Sequence, residues 1–476
     1  MFSSFLRGDL SDNEVDFLAS EGRDYFLTRG MIYKNKSGNL EHRPFTVLPT
    51  PFPRRLFAAA REVQKDFNLL VHKASQDFQF TKDALLSTIT ADVFTAKIFA
   101  IYEKTQEQGI DQPISLGIFR SDYMLEQTSG SHNQEDENLN LCIKQVELNT
   151  ISISAISSSC RASSLHRHLL NLIGKEEKSP PPNFALDEVA EGLIKAWELY
   201  ESPSAVIMFV VRPDEVNVYV QRILEYSIRD KNRAVKVIRR TLTEICTRSE
   251  IQGDKSLFVD GLEVAVAYFR AGYTPVDYPS EDEWSARLTI ELSRCIKCPT
   301  VAHQLMGTKK MQQVFAEPGV LERFLPNREA VDRVRATFTG LYTLDPGPSG
   351  DRNVECCLQA VERFVMKPQR EGGGNLIYGE DIRHTLQSNP EKRSQYILMD
   401  RIRPACINRN FIVRQESIKP AEIISELGIF GIFLSQGDEI LINKDGGYLV
   451  RSRPWDKLEV ISLHGEGAYC SPYLVD

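Results

Sequence analysis

A short apolar segment, Arg363–Met366, runs into Lys367 and then into Glu371, Gly372, Gly373 and Gly374. Three residues without side chains let backbone N–H groups close around an anion where a Cβ would intrude. A lysine and a carboxylate flanking such a loop suit a nucleotide polyphosphate and the Mg²⁺ it carries. The order is neither the GxxxxGK[ST] phosphate loop nor a strand–GxGxxG–helix fingerprint, and a glycine run alone is equally a surface turn. A second set of oxygens lies upstream, where Glu147 and Asn149 end an apolar run, Leu141–Leu148. On a strand the i, i+2 spacing turns both side chains to one face, where they can share an ion. An all-oxygen set matches hard Mg²⁺, although the pair alone is also a solvated strand end. His166 and His168 fall on a predicted helix with their rings pointing apart, which suits core or cap histidines better than metal ligands. No Ser-His-Asp or Cys-His signature is recognisable.

The elements that must hold these residues can be read in outline. The first 110 residues are mainly helical, and in Arg55–Val71 the residues Leu56, Ala60, Val63, Phe67 and Leu70 recur at helical spacing as one buried stripe. Leu125–Asn140 is polar and reads as a solvated loop. Ser179-Pro-Pro-Pro-Asn183 breaks the chain before a helix containing Trp197. Ala205–Val211 is a continuous β-rich apolar run, the pattern of a buried parallel strand. Tyr219–Arg229 reads as a helix, and Leu257–Phe269 as a hairpin turning at Asp260-Gly261. Leu344–Asp351 reads as a loop, and Tyr396–Met399, Glu426–Phe433, Glu439–Asn443 and Tyr448–Arg451 as short strands of an antiparallel sheet with glycine turns. Strands alternating with helices between 204 and 306 suggest a compact α/β substrate domain.

Composition narrows the class. With 476 residues there is room for two or three domains, and 42% hydrophobic with 26% charged residues is ordinary for a globular protein. A net charge of −8 argues against broad nucleic-acid binding. Nine cysteines suggest reduced thiols rather than a disulfide framework, and Cys295 and Cys298 lack the companions of a zinc site. No segment approaches the roughly 18 apolar residues of a membrane span. The N-terminal Met-Phe-Ser-Ser-Phe-Leu-Arg-Gly-Asp lacks the roughly 7–15-residue apolar core of a signal peptide.

Lys367-Pro-Gln-Arg-Glu-Gly-Gly-Gly-Asn375 resembles the glycine-rich loop of eukaryotic glutathione synthetases, which are ATP-grasp ligases. So do Arg120-Ser-Asp-Tyr-Met124, Val146-Glu-Leu-Asn-Thr-Ile-Ser152, Ala196-Trp-Glu-Leu-Tyr200, Tyr268-Phe-Arg-Ala-Gly-Tyr273, Gly307-Thr-Lys-Lys310 and Ser425-Glu-Leu-Gly-Ile-Phe-Gly431, in the family's order from about 45 to 453. The resemblance implies an α/β (α+β) ATP-grasp fold, with a helical N-terminal part and first part of the body over 1–203. An inserted α/β substrate domain would span 204–306, and the ATP-binding part with a C-terminal lid 307–476. It implies ATP-driven joining of γ-glutamylcysteine and glycine through an acyl phosphate, in a homodimer, with Mg²⁺ held by Glu147, Asn149 and Glu371. Lys309, Lys367, Glu371, Gly372, Gly373, Gly374, Asn375, Tyr378, Met399, Asp400, Ile402, Glu426 and Arg453 match nucleotide positions. Arg120, Ser152, Ser154, Glu215, Asn217, Gln221, Arg270, Tyr273 and Arg451 match contacts to the peptide, with Arg120, Lys367 and Arg451 in catalytic roles.

Departures are concentrated in two places, after Ser154 and in the C-terminal lid, beside single changes at nucleotide positions. Asp400 stands for a usual Glu, and Arg453 for a lysine whose charge it keeps with a different donor geometry. Asn375-Leu376 replaces an Asn-Asn pair. Ala155-Ile-Ser-Ser158 replaces Phe-Gly-Gly-Leu, and Val460-Ile-Ser-Leu-His-Gly465 replaces a lid of glycines and alanines, where Leu463 and His464 would fill space. A kept nucleotide half with a rewritten lid also resembles the glutathione synthetase-like effectors of plant-parasitic cyst nematodes. Two expectations follow: a ligase, cytoplasmic as the family is, with altered or reduced synthetase activity, or a secreted protein acting on another substrate or through binding.

Overall fold

Two long strands, Ser417–Gln436 and Glu439–Pro454, form an antiparallel hairpin on which the other elements are assembled. The computed structural model describes residues 10–35, 37–109, 112–127, 141–405, 408–458 and 466–476. Ile114–Gln127 and then Leu141–Asn149 extend the hairpin on one side, while Ala468–Cys470, Phe45–Thr46 and Asn408–Arg414 extend it on the other. Asn408–Arg414 also pairs with Ser417–Gln436, so this flank of the seven-stranded sheet closes on itself. The short strands suggested at Glu426–Phe433, Glu439–Asn443 and Tyr448–Arg451 are thus segments of two continuous ones. Gly446 and Gly447, which look like a turn in the sequence, lie inside the second strand, and glycines along both strands serve close approach. A Cβ on Gly428 would lie 2.5 Å from Asp122 Oδ1.

The two faces of this sheet have different tasks. On the reverse face Phe119, Tyr123, Leu427, Ile429 and Phe433 pack against the helix Arg54–Ser75, which buries its Leu56–Ala60–Val63–Phe67–Leu70 stripe there as predicted. On the front face Leu116, Ile118, Phe430, Ile432 and Leu434 are covered by the helices Ile156–Leu172 and Ala185–Leu199. Further along the same face the side chains become Arg120, Asp122, Met124, Gly428 and Glu426, and the covering helices give way to a cavity.

A second sheet is drawn wholly from residues 206–298. Lys236–Arg240, Val206–Val210, Leu262–Phe269 and Ile296–Cys298 run parallel, and Val206–Val210 is buried at every position. The hairpin Leu257–Val259/Leu262–Phe269 turns at Asp260 and Gly261, whose φ values of 50° and 74° fit a type I′ turn. The helix expected over Tyr219–Arg229 spans Val218–Lys231. A third sheet, antiparallel, orders Leu341–Thr343, Tyr396–Asp400, Phe364–Pro368 and Ile377–Tyr378. One of its faces is covered by the helices Pro348–Gln359 and Glu380–Ser388, and the other turns toward the front of the central sheet. The loop suggested over Leu344–Asp351 is shorter than expected, because Pro348 is the first residue of a helix, where its fixed φ and missing N–H are no handicap.

The helical N-terminal part comprises Asp12–Thr28, Arg54–Ser75, Phe78–Ala91 and Val93–Gln108, with four short strands between 32 and 53. His166 is buried between the Thr46 carbonyl and Ser471, and His168 stacks on Tyr25, so the two rings stay apart. Cys295 and Cys298 are buried free thiols. Among the described residues no helix is long and apolar enough to cross a membrane. The polar 128–140 segment and the 460–465 lid sequence lie outside the described residues.

Candidate active site

The three sheets enclose one cavity of about 1810 Å³. Its floor is the front of the central sheet. Arg120 stands opposite Asn149, Asp122 opposite Glu147, and Glu426 opposite Arg451, so six ionic or amide side chains share one face of four strands. The register between Ile114–Gln127 and Leu141–Asn149 shifts at Asp122/Tyr123, leaving Val146 as an extra residue. This bulge resets the alternation. Cys142, Lys144 and Val146 face the cavity before it, and Glu147 and Asn149 face the cavity after it.

Asp122, wholly buried, gathers the floor. It takes two hydrogen bonds from Arg120 (Nε and Nη2, both 2.7 Å), one from Asn149 Nδ2 at 3.1 Å and one from Arg451 at 3.3 Å. Arg451 also pairs with Glu426. Burial raises the Glu426 carboxyl above its ordinary range, with Arg451 acting against it. Burial opposes the charge of Arg451 too, but Glu426, Asp122 and Glu147 more than compensate and raise it. Asp122 and the glycine beneath it were missed as site residues in the sequence. The signal was there, since Arg120 and Asp122 repeat the i, i+2 strand spacing of Glu147 and Asn149.

Lys309 joins floor to roof. Its Nζ lies 3.1 Å from Glu147 and 3.3 Å from Glu371. Burial alone would raise Glu147, yet Lys309, Lys367, Arg120 and Arg451 together hold it well below the usual carboxylate range. Glu371 differs: burial pushes it up to about 7 against the pull of Lys309. Two carboxylates and the Asn149 amide converge here, and Asn149 Nδ2 donates to Glu147 Oε1 at 3.1 Å. The donor set is all oxygen, and two carboxylates already gather around one buried cation, so the residues present fit a hard divalent ion.

The roof belongs to the third sheet. Lys367 is buried, donates to the carbonyl of the bulged Val146 and is brought down to about 8, chiefly by burial. Beyond it Glu371 leads into the exposed Gly372–Gly374. Gly372 has φ +87°, a left-handed conformation in open space, so its glycine is required by the backbone rather than by a neighbour. Asn375 Nδ2 closes the turn on the Gly372 carbonyl at 2.8 Å. Met399 and Ile402 form an apolar patch with Val365, Ile424 and Met124, next to Tyr378. Asp400 is held by Arg363 and Tyr342, each at 3.0 Å. Arg453 bonds the Pro454 and Lys457 carbonyls, and burial lowers its ordinary pKa.

The opposite end is lined from the loops of the second sheet and from the segment that leaves the central sheet after Asn149. Ser152, Ser154, Glu215, Asn217, Arg270 and Tyr273 all reach the cavity. Gln221 does not; it lies behind Glu215 and donates to it at 2.7 Å. Gly374 likewise is not among the lining residues. The substituted Ile156 and Ser157 open the helix Ile156–Leu172 without positive φ, so β-branching is no strain there. The left-handed positions are instead Ser152 (53°) and Ala155 (66°).

The sequence matches the model of the eukaryotic glutathione synthase ATP-binding domain over residues 12–474. The chain belongs to the eukaryotic glutathione synthetase family. It is 40% identical over 472 residues to a glutathione synthetase of Xenopus laevis and 39% identical over 472 residues to one of Homo sapiens, covering 97% of each chain in both pairs. A chloroplastic glutathione synthetase of Arabidopsis thaliana is 42% identical over 486 residues, covering 98% of this chain and 86% of that one. Among solved structures, a glutathione synthetase-like effector from Globodera pallida in its apo form superposes with a TM-score of 0.78 at 26% identity, covering 98% of both chains. The fold is accordingly ATP-grasp: the two mainly antiparallel sheets that face each other across the cavity are the halves of a glutathione synthetase-like ligase.

Proposed function

We propose that this protein condenses γ-glutamylcysteine with glycine at the expense of ATP, releasing glutathione, ADP and phosphate. The observation that carries this reading is the single cavity, which unites Lys309, Lys367, Glu147 and Glu371 at its centre with Arg120 and the Ser152–Tyr273 residues at one end. A carboxylate is a poor electrophile, so its oxygen must first attack the terminal phosphorus of ATP; the acyl phosphate then yields to the amine and phosphate leaves. Lys309 and Lys367 would meet the phosphate oxygens, and the glycine loop would close its N–H groups over them. Glu147, Asn149 and Glu371 would hold Mg²⁺, which when bound supplies charge neutralisation on the phosphates. Arg120, fixed by Asp122, would orient the attacking carboxylate, and Arg451 would stand beside the developing charge. Glu215 and Asn217 would read the γ-glutamyl amine and carboxylate, with Gln221 fixing Glu215 from behind. The working unit in this reading is a homodimer.

A second reading, an effector with a different acceptor or a binding role, draws on the likeness to the nematode protein and on the 460–465 sequence. We place it second because identity to the synthetases is higher, at 40% against 26%. The test is ADP release by the purified protein with Mg²⁺-ATP, γ-glutamylcysteine and glycine, with product identified by mass. Glutathione at an enzyme-like rate is expected. ATP binding without glutathione would overturn the first reading in favour of the second, and no ATP binding would overturn both.

A further inference from the structure

The parallel strands Val206–Val210 and Leu262–Phe269 end side by side, with Val210 in register with Phe269 and the Arg270 N–H bonded to the Val210 carbonyl at 2.8 Å. The two loops that leave their C-terminal ends, the usual place for ligands in such sheets, are therefore neighbours. One carries Arg212; the other carries Arg270, Tyr273 and Asp277. The Asp277 side chain is nearly inaccessible, at 2% exposure. Its Oδ2 receives the successive backbone N–H groups of Gly272 (2.9 Å), Tyr273 (3.0 Å) and Thr274 (3.2 Å) and the Thr274 hydroxyl (3.3 Å). Its other oxygen receives Arg212 Nε at 2.6 Å, while Arg212 Nη2 bonds Thr274 Oγ1 at 3.1 Å. The guanidinium so fixed lies over the Tyr273 ring, 4.6 Å from its centroid. Arg212 and Tyr273 both face the cavity; Asp277 does not.

We propose that Arg212 and Asp277 form a clamp that positions Tyr273 and its loop at the peptide end of the cavity, and so sets the affinity for the thiol peptide rather than for the nucleotide. The inference rests on the functional reading above. Asp277 fixes the loop backbone from inside, and Arg212 ties that loop to the neighbouring strand end and holds the aromatic ring by its face. A side chain already fixed loses little freedom when the peptide arrives. The side-chain hydrogen bonds of both residues stay within their own two loops and reach neither Arg120 nor the Lys309–Glu147–Glu371 cluster, so the chemical step should not feel their loss.

The experiment compares wild type with Arg212→Met, Arg212→Lys, Asp277→Asn and the double variant Arg212→Met/Asp277→Asn, after thermal melts establish that each is folded. Arg212→Met should raise the KM for γ-glutamylcysteine about tenfold, in keeping with a lost ring contact and ion pair, and leave kcat and the KM for ATP within about twofold. Arg212→Lys, which keeps the charge without the fork, should fall between. The double variant should be no worse than the poorer single one, because both substitutions break one unit. An unchanged KM for the dipeptide, or equal losses for dipeptide and ATP, would overturn the clamp. Calorimetric titration of γ-glutamylcysteine gives the same comparison without turnover. Wild type that binds the dipeptide but makes no glutathione removes the functional reading and leaves the clamp to be judged on Kd. Wild type that does neither overturns both.

Discussion

The floor and the roof of the cavity hold charge differently, and Lys309 touches both. On the floor Glu147 has four cations around it and is held below its ordinary range, while Asp122 is fully buried with hydrogen bonds from Arg120, Asn149 and Arg451. On the roof Glu371 is carried up to about 7 by burial, and the glycines that follow it are exposed. The fold favours ionised Glu147 and disfavours ionised Glu371. The floor is thus preorganised and coupled to folding, whereas the roof carries its carboxylate in readiness for a partner that brings positive charge. Substitutions should separate the two regions by what they damage.

The largest contrast should come from Glu371→Ala. Turnover with Mg²⁺-ATP should fall by about 1000-fold or more, while urea unfolding stays close to wild type, since the fold gains nothing from that ionised group. Surviving turnover would remove Glu371 from the metal set. Asp122→Ala should do the converse on the floor. It leaves Arg120 and Arg451 short of their buried partner and should lower unfolding free energy by about 3–5 kcal/mol, along with activity; an unchanged urea midpoint would erase the distinction between the two regions.

Acid should find the floor from behind. On the reverse face of the sheet His303 meets Phe119 edge-on and His72 packs on Phe433. Burial holds these rings neutral, down to about 4 for His72 and about 3 for His303. The unfolded chain takes up protons below about pH 6.5 and the folded one does not. The stability is therefore complete above that pH and falls as pH drops toward 4, by about 2 kcal/mol per ring at pH 5. Urea melts at pH 7 and pH 5 should show this loss, and His303→Gln should reduce it. The smallest effect belongs to the roof: Gly372→Ala, at φ +87° in open space, should cost about 1 kcal/mol or less in stability and appear chiefly as a raised KM for ATP.

What could be read in the sequence was local. Lys367 and its glycines, the Asp260-Gly261 turn, the Arg54–Ser75 stripe and the same-face pairing of Glu147 with Asn149 each depend on a few adjacent residues. What escaped depends on register. Gly428 reads only as one residue of the strand Glu426–Phe433 until Asp122 is seen resting against it from the next strand. Gln221 reads as a site residue by its match, although it stands one layer behind Glu215. Asp122 shows in the sequence only the i, i+2 spacing it shares with Arg120, because its importance lies in partners from three strands.

The bulge at Val146 gives its strand something like a reading frame. Upstream the even-numbered residues address the cavity; from Glu147 onward the odd-numbered ones do. Paired without the bulge but with every residue kept, the strand would carry Glu147 and Asn149 to the apolar back of the sheet and Leu148 to the front, each chemically intact but out of phase. Removal of Val146 itself would give plain alternation with Glu147 still opposite Asp122. A strand of this kind can exchange side chains through evolution and keep its frame, and the one-residue change of length that preserves which side chains face the cavity is loss of the bulged residue itself.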